Sequence, residues 1–289
     1  MRVLLATDGS EQAQAATAWL PTVPLPRPST VRVLAIVAPA RGLPALLEGR
    51  DDRRRLHEHA GRIVSEAQGT LVGCGADVET QVAEGDPREE IVRMAEEWSA
   101  DLVVLGARGL GPLSRALLGS VSTAVVRHAP CAVLVMRGRR PGLGTIVLAV
   151  DGSPDSLDAA AFLGALPLAP GVRLTLVAVV VPPPALPAPE AATGPLFLDE
   201  ALTLGQAEAE RALDRAQSRV GTAGGTLERR TLIGEAGEEI VSTARLLEAD
   251  LVTVGARGHG VFKRLLLGSV SEYVLHHAEC AVLVVRGRS

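Results

Sequence analysis

The sequence predicts an α/β fold made of two repeats of a five-stranded parallel sheet flanked by helices. Three observations carry this. Short aliphatic runs alternate with amphipathic stretches through all 289 residues, the pattern of strand–helix–strand units. The chain is written twice: Ala6-Thr7-Asp8-Gly9-Ser10 returns as Ala149-Val150-Asp151-Gly152-Ser153, and His128-Ala129-Pro130-Cys131-Ala132-Val133-Leu134-Val135 returns as His277-Ala278-Glu279-Cys280-Ala281-Val282-Leu283-Val284. The first offset is 143 and the second 149, so one indel separates two duplicated domains rather than short solenoid units. Finally, a glycine-rich segment follows the fourth aliphatic run of each copy, GARGLGPLSRALLGSVS over 106–122 and GARGHGVFKRLLLGSVS over 255–271.

In the first half a strand is expected over Arg2–Thr7, then a helix from about Ser10 to Leu20, with Asp8 or Ser10 as its N-cap. A strand over Thr30–Val37, a loose segment and a charged helix from about Asp51 to Gln68 follow. After a strand over Asp77–Val82, Asp86 and Pro87 start a helix as N-cap and first helical residue, with Glu89 at the capping-box position. A strand over Leu102–Leu105, the glycine segment, a helix over Ser120–His128 and a strand over Ala132–Arg137 complete the half. The second half repeats this order, with strands over Thr145–Val150, Arg173–Val180, Thr226–Leu232, Leu251–Val254 and Ala281–Arg286. The expected domains are 1–138 and 145–289, joined by a linker over 139–144.

Composition narrows the function. Hydrophobic residues are 47% of the chain and aromatics only 2%, so the cores must be aliphatic, as buried parallel strands require. A net charge of −4 and the shortage of base-stacking rings argue against a nucleic-acid partner. No apolar run reaches the ~18 residues of a membrane helix, and Met1-Arg2 leads directly into a strand, with no targeting segment expected. The three cysteines, Cys74, Cys131 and Cys280, form no CxxC pair, and the last two open equivalent strands as small buried residues. A reducing, cytoplasmic location is expected.

The glycine segments point to chemistry. Each has Gly, two residues, Gly, nine residues, then Gly-Ser: Gly106, Gly109 and Gly119-Ser120 in one copy, Gly255, Gly258 and Gly268-Ser269 in the other. Glycines let backbone approach a phosphate, and free N–H groups at a helix start face it. A plain strand–helix connection needs neither three spaced glycines nor the Ser-Val-Ser that follows. Asp8 and Asp151, at the ends of the first strands, suit either a helix cap or a place at the site, and one carboxylate can do both. Ser120 and Ser269 could cap the last helix; a phosphate would use the same N–H groups. Arg115 and Arg264 fit a solvated face better than a phosphate contact. The histidines show no metal spacing, the Walker A pattern is absent, and no catalytic set can be assigned.

These residues resemble the universal stress protein family in its tandem, ATP-binding form. The resemblance rests on the doubled G-2x-G-9x-G-S spacing, the opening strand with Asp-Gly-Ser, Ala-Asp-Leu-Val before each glycine segment and the Cys-Ala-Val-Leu-Val last strand. It implies the adenine nucleotide alpha hydrolase-like sheet of order 3-2-1-4-5, with ATP, alone or with Mg2+, between strands 1 and 4. Carried over residue by residue, it implies Asp8 and Asp151 near the nucleoside, and Ile36 and Val179 against adenine. Gly106, Gly109, Gly119, Ser120, Val121 and Ser122 would wrap ribose and phosphates, as would Gly255, Gly258, Gly268, Ser269, Val270 and Ser271. The copies differ inside the loop, Leu110 against His259 and Pro112 against Val261, so affinity can differ between halves. The leading expectation is a nucleotide-dependent stress-response protein. A slow ATPase or other nucleotide hydrolase of the same superfold, and a scaffold with empty sites, are the competing readings. The near-identical, Pro-free last strands predict an intrachain pseudo-dimer of the halves through antiparallel edges, with further homodimerisation left to other surfaces.

Overall fold

The computed structural model describes residues 1–39, 50–107, 118–138, 142–183, 194–221, 225–259 and 267–287. Contacts divide the chain into two compact units: Met1–Leu143 with Glu279–Val284 and Arg288–Ser289, and Gly144–Ala278 with Val285–Gly287.

The first unit contains β1 (Arg2–Ala6), α1 (Glu11–Trp19), β2 (Thr30–Val37), α2 (Arg50–Thr70), β3 (Asp77–Glu84), α3 (Pro87–Glu97), β4 (Leu102–Gly106), α4 (Ser120–His128) and β5 (Ala132–Met136). Its strands lie in the order β3-β2-β1-β4-β5, all parallel, with Val3 beside both Val31 and Leu102. The unit also takes in residues 281–284 of the strand β10 (Ala281–Val285), antiparallel to β5 with Leu283 opposite Leu134. Strands β1, β4 and β5 are aliphatic and almost wholly buried, as expected of a sheet covered on both faces. The charged run 51–56 of α2 faces solvent. Asp86 caps α3 by accepting from the Arg88 N–H at 3.0 Å, with Pro87 in the first turn.

Both tryptophans belong to this unit. Trp19 is 5% exposed, and its Nε1 donates to the Gly142 carbonyl at 3.0 Å. Trp98 lies under the Arg32 guanidinium, 4.2 Å from the ring centroid. Arg32 also pairs with Glu79 at 2.8 Å, which ties β2 to β3 on that face.

The second unit repeats the plan with β6 (Thr145–Ala149), α5 (Pro154–Gly164), β7 (Val172–Val180), α6 (Gly194–Val220), β8 (Gly225–Ile233), α7 (Ala236–Leu246), β9 (Leu251–Gly255) and α8 (Ser269–His277). Its parallel strands run β8-β7-β6-β9. The end of β10 lies beside the end of β9, where the Val285 carbonyl accepts from the Ala256 N–H at 2.6 Å. The equivalent bond in the first unit joins Ala107 and Met136 at 2.9 Å. The first and fourth strands are thus neighbours in each unit, while their connections leave toward opposite sides of the sheet order. That switch point opens a crevice beyond the strand C-termini.

Among the described residues no helix is long and apolar enough to cross a membrane. Cys131 and Cys280 are buried, Cys74 is half-buried, and all three are free thiols.

Candidate functional site

The crevice of the second unit is a cavity of about 720 Å³, within the ~300–1,000 Å³ typical of small-molecule sites. Its apolar floor is Ala149 from β6, Val177 and Val179 from β7, and Val254 from β9. Val179 is half-exposed while Leu174–Ala178 and Val180 around it are buried, so a hydrophobic side chain is left facing open space. Ile240 and Ala236 of α7 close one side. The other side is the glycine segment, with Gly255, Gly258, Gly268, Ser269, Val270 and Ser271 all on the wall, and Asp151 at the mouth.

Local chemistry explains why the wall has this shape. At Gly255 an added Cβ would stand 2.6 Å from the Ser156 nitrogen and 2.7 Å from the Asp155 carbonyl carbon, so only glycine lets β9 pass the start of α5. At Gly258 a Cβ would stand 2.6 Å from Asp151 Oδ2, so the loop entry is drawn against that carboxylate. Gly268 occupies the N-cap position of α8, with Ser269 as the first helical residue, and among the described residues no side-chain cap hydrogen bond is made there. The N–H groups of the first turn are therefore aimed at the cavity by a helix start, the usual anion geometry. The Ser271 hydroxyl donates to the Gly255 carbonyl at 2.5 Å, and Gly268 N–H donates to Ala256 at 2.8 Å. Helix start and strand end are latched together.

Asp151 does not cap α5. Its Oδ1 accepts from the Ser153 N–H at 2.9 Å, and Ser153 is the cap, accepting from Ser156 N–H at 3.3 Å. The first unit has the same division of labour: Asp8 accepts from Ser10 N–H at 3.0 Å, and Ser10 caps α1. The choice between Asp8 and Ser10 thus falls to the serine, which directly precedes the first helical residue, Glu11, and accepts from the third amide of the helix, Ala13 N–H. Likewise Ser120 and Ser269 are not caps, because Gly119 and Gly268 precede them in that position.

The first unit reproduces the rest of the latch. The Ser122 hydroxyl donates to Gly106 and Ala107 carbonyls at 2.9 and 3.0 Å, and Gly119 N–H donates to Ala107 at 2.8 Å. Ser120 and Val121 open α4, and Ile36 is half-exposed late in β2. Gly109, Leu110, Pro112 and Arg115 lie outside the described residues, as do Val261 and Arg264. A smaller cleft of about 260 Å³ in this unit, lined by Arg53, His57 and Glu84, shares no residue with the expected site.

Several wall residues of the second unit were not singled out by sequence, among them Pro154, Ser156, Arg257, Ala236 and Ile240. Arg257 donates through Nε to Asp155 Oδ2 at 2.9 Å and through its terminal nitrogen to Oδ1 at 3.2 Å. That hydrogen-bonded pairing, and then the attraction of the two charges, raise the guanidinium pKa above its ordinary value. The His259 ring donates through Nε2 to the Asp151 carbonyl at 3.1 Å. Among the described residues no three His, Cys, Asp or Glu side chains group as metal ligands.

Comparison with known proteins agrees with this architecture. The model of the universal stress protein family matches residues 1–137 and again 142–286. A universal stress protein of Mycolicibacterium smegmatis is 28% identical over 99% of this chain and 97% of its own length. One from Mycobacterium tuberculosis is 29% identical over 98% of this chain and 96% of its own. The crystal structure of a universal stress protein from Archaeoglobus fulgidus superposes with a TM-score of 0.68 at 19% identity, covering 99% of this chain and 96% of that one, a likeness of fold.

Proposed function

The chain belongs to the universal stress protein family, and from that premise we propose that it is a cytoplasmic stress-response protein regulated by binding ATP. The carrying observation is the second-unit cavity: an apolar slot beside Val179 at one end and an uncapped helix start at the other. A purine and a polyphosphate need those two ends in that order. Val179 would pack on the base and Asp151 would sit near the nucleoside. The backbone of Gly258 and Gly268 through Ser271 would hold ribose and phosphates, with the Ser271 hydroxyl retained by the Gly255 carbonyl. Asp8, Ile36, Gly106, Gly109, Gly119, Ser120, Val121 and Ser122 would do the same in the first repeat. Mg2+ would arrive with the nucleotide, since Asp151 is the carboxylate that meets the mouth.

Turnover should be negligible. On the described wall His259 is turned onto the Asp151 carbonyl at 3.1 Å, and Asp151 is its carboxylate, so no base pair is placed to activate water beside the helix start. Nucleotide-free protein is expected to take up two ATP per chain in calorimetry while releasing phosphate at well under about 1 per second. A rate in the ordinary enzymatic range, ~1–10³ per second, would favour the hydrolase reading and make Asp8 and Asp151 the first residues to test.

We also propose that the two repeats form an intrachain pseudo-dimer through their last strands, leaving any further homodimer to other surfaces. Nearly identical, Pro-free sequences in β5 and β10 support this, as does the antiparallel register in the first unit. Directly opposed residues of an antiparallel pair have Cα atoms ~4.5–5.5 Å apart, within disulfide reach. A Leu134→Cys, Leu283→Cys double variant should therefore oxidise to a monomeric chain with one new disulfide, read by mass spectrometry. Only interchain products would contradict the arrangement.

A further inference from the structure

We infer that Asp155 and Arg257 form a clamp that pre-sets the phosphate loop of the second repeat, with Asp155 as a positioning residue that never meets the nucleotide. The inference rests on the nucleotide reading above and extends it to a residue behind the wall.

Arg257 stands between the end of β9 and Gly258, at the entry of the glycine segment. It is held at both its main chain and its side chain. Its carbonyl accepts from the Ser153 hydroxyl at 3.1 Å. Its guanidinium forks onto both oxygens of Asp155, a geometry that fixes direction as well as distance. Asp155 is 6% exposed in its side chain while Arg257 is 46% exposed. The carboxylate is therefore the anchored partner and the arginine the held one. Asp155 lies in the first turn of α5, where the helix dipole favours a negative charge, and its Oδ1 also accepts from Gly287 N–H at 3.4 Å. The residue that places Gly258 against Asp151 is thus fixed before any ligand arrives. A loop so fixed has less freedom to lose on binding.

The first repeat has Gln12 where the second has Asp155. The Gln12 Oε1 is buried without a hydrogen-bond partner among the described residues, and a neutral amide cannot form the charged fork. The second repeat should therefore be the tighter site.

The test uses the full chain carrying Gly119→Val, so that ATP titration reads the second site. Asp155→Asn keeps the side-chain shape and should weaken ATP about tenfold. Arg257→Gln, a partly exposed replacement that should fold even where the first does not, should weaken it equally, and the double variant no further. Without ATP, amide exchange at 256–259 should quicken in Asp155→Asn while β6 and β9 keep their protection. Affinity and loop exchange both unchanged in Asp155→Asn would overturn the clamp, as would a lowered melting temperature as the sole effect. If the parent protein bound no ATP, the nucleotide reading would fail, and the ligand-free exchange would still decide the clamp.

Discussion

Gly268→Val is expected to remove ATP binding from the second repeat while leaving its fold intact. A Cβ at 268 meets the Ala256 oxygen at 3.4 Å and the Arg257 Cα at 3.6 Å, ordinary contact distances. The backbone there, φ −75° and ψ 153°, is one any residue adopts, and the N–H bond to Ala256 survives. The remaining two methyl groups have nowhere to go but over the first turn of α8, where an anion would sit. Affinity should fall at least about 100-fold, equivalent to ~2.7 kcal/mol. Calorimetry should then show one equivalent of ATP per chain instead of two. A second equivalent at wild-type affinity would rule out this wall as the phosphate site.

Gly255→Ala should do the reverse, damaging the fold before the site. Its Cβ would press on the Ser156 and Asp155 backbone at 2.6–2.7 Å, and backbone in a capped first turn cannot step aside as a flexible side chain can. Gly106→Ala meets Gln12 and Ala13 backbone at 2.8 and 2.9 Å and should behave alike. Overpacking of this kind costs about 1–3 kcal/mol. In a repeat of this size that is roughly 4–10 °C of melting temperature, measurable by scanning calorimetry. An unchanged melting temperature would mean that strand and helix separate more easily than their contact implies.

The strands and the glycine wall were legible in the sequence because both rest on local signals, whereas the order 3-2-1-4-5 came through the family resemblance, since which strands lie side by side is not a local property. Aliphatic runs of five residues bounded by Gly or Asp mark the strands, and the fixed spacing from Gly255 to Gly268 marks the wall. The half-exposed Val179 came through the resemblance, since nothing in the alternation of β7 distinguishes it from its buried neighbours. The clamp was not legible. Asp155 reads as an ordinary first-turn acid and Arg257 as an ordinary loop cation, and their meeting across 102 positions depends on β9 passing α5 at Gly255. Ile240 and Ala236 were missed for a related reason: the apolar face of α7 announces burial without saying that part of it faces a cavity. The helix caps turned on where each helix starts, one residue after Ser10 and Ser153, a boundary that the Asp-Gly-Ser triplet leaves open.

The placement of the aromatic residues has a spectroscopic consequence. Trp19 and Trp98 are the two tryptophans of the chain and both lie in the first unit, one enclosed and tied to Gly142, the other beneath a guanidinium. The second unit has the single tyrosine, Tyr273, stacked on His277 with ring centroids 4.0 Å apart. Emission excited at the red edge of indole absorption thus originates from one repeat, and no tryptophan is among the described residues that line the Val179 cavity. Far-ultraviolet dichroism draws on the helices of both repeats. The separation between an emission melt and a dichroism melt of the unmodified protein is therefore a built-in gauge of how far the two repeats differ in stability.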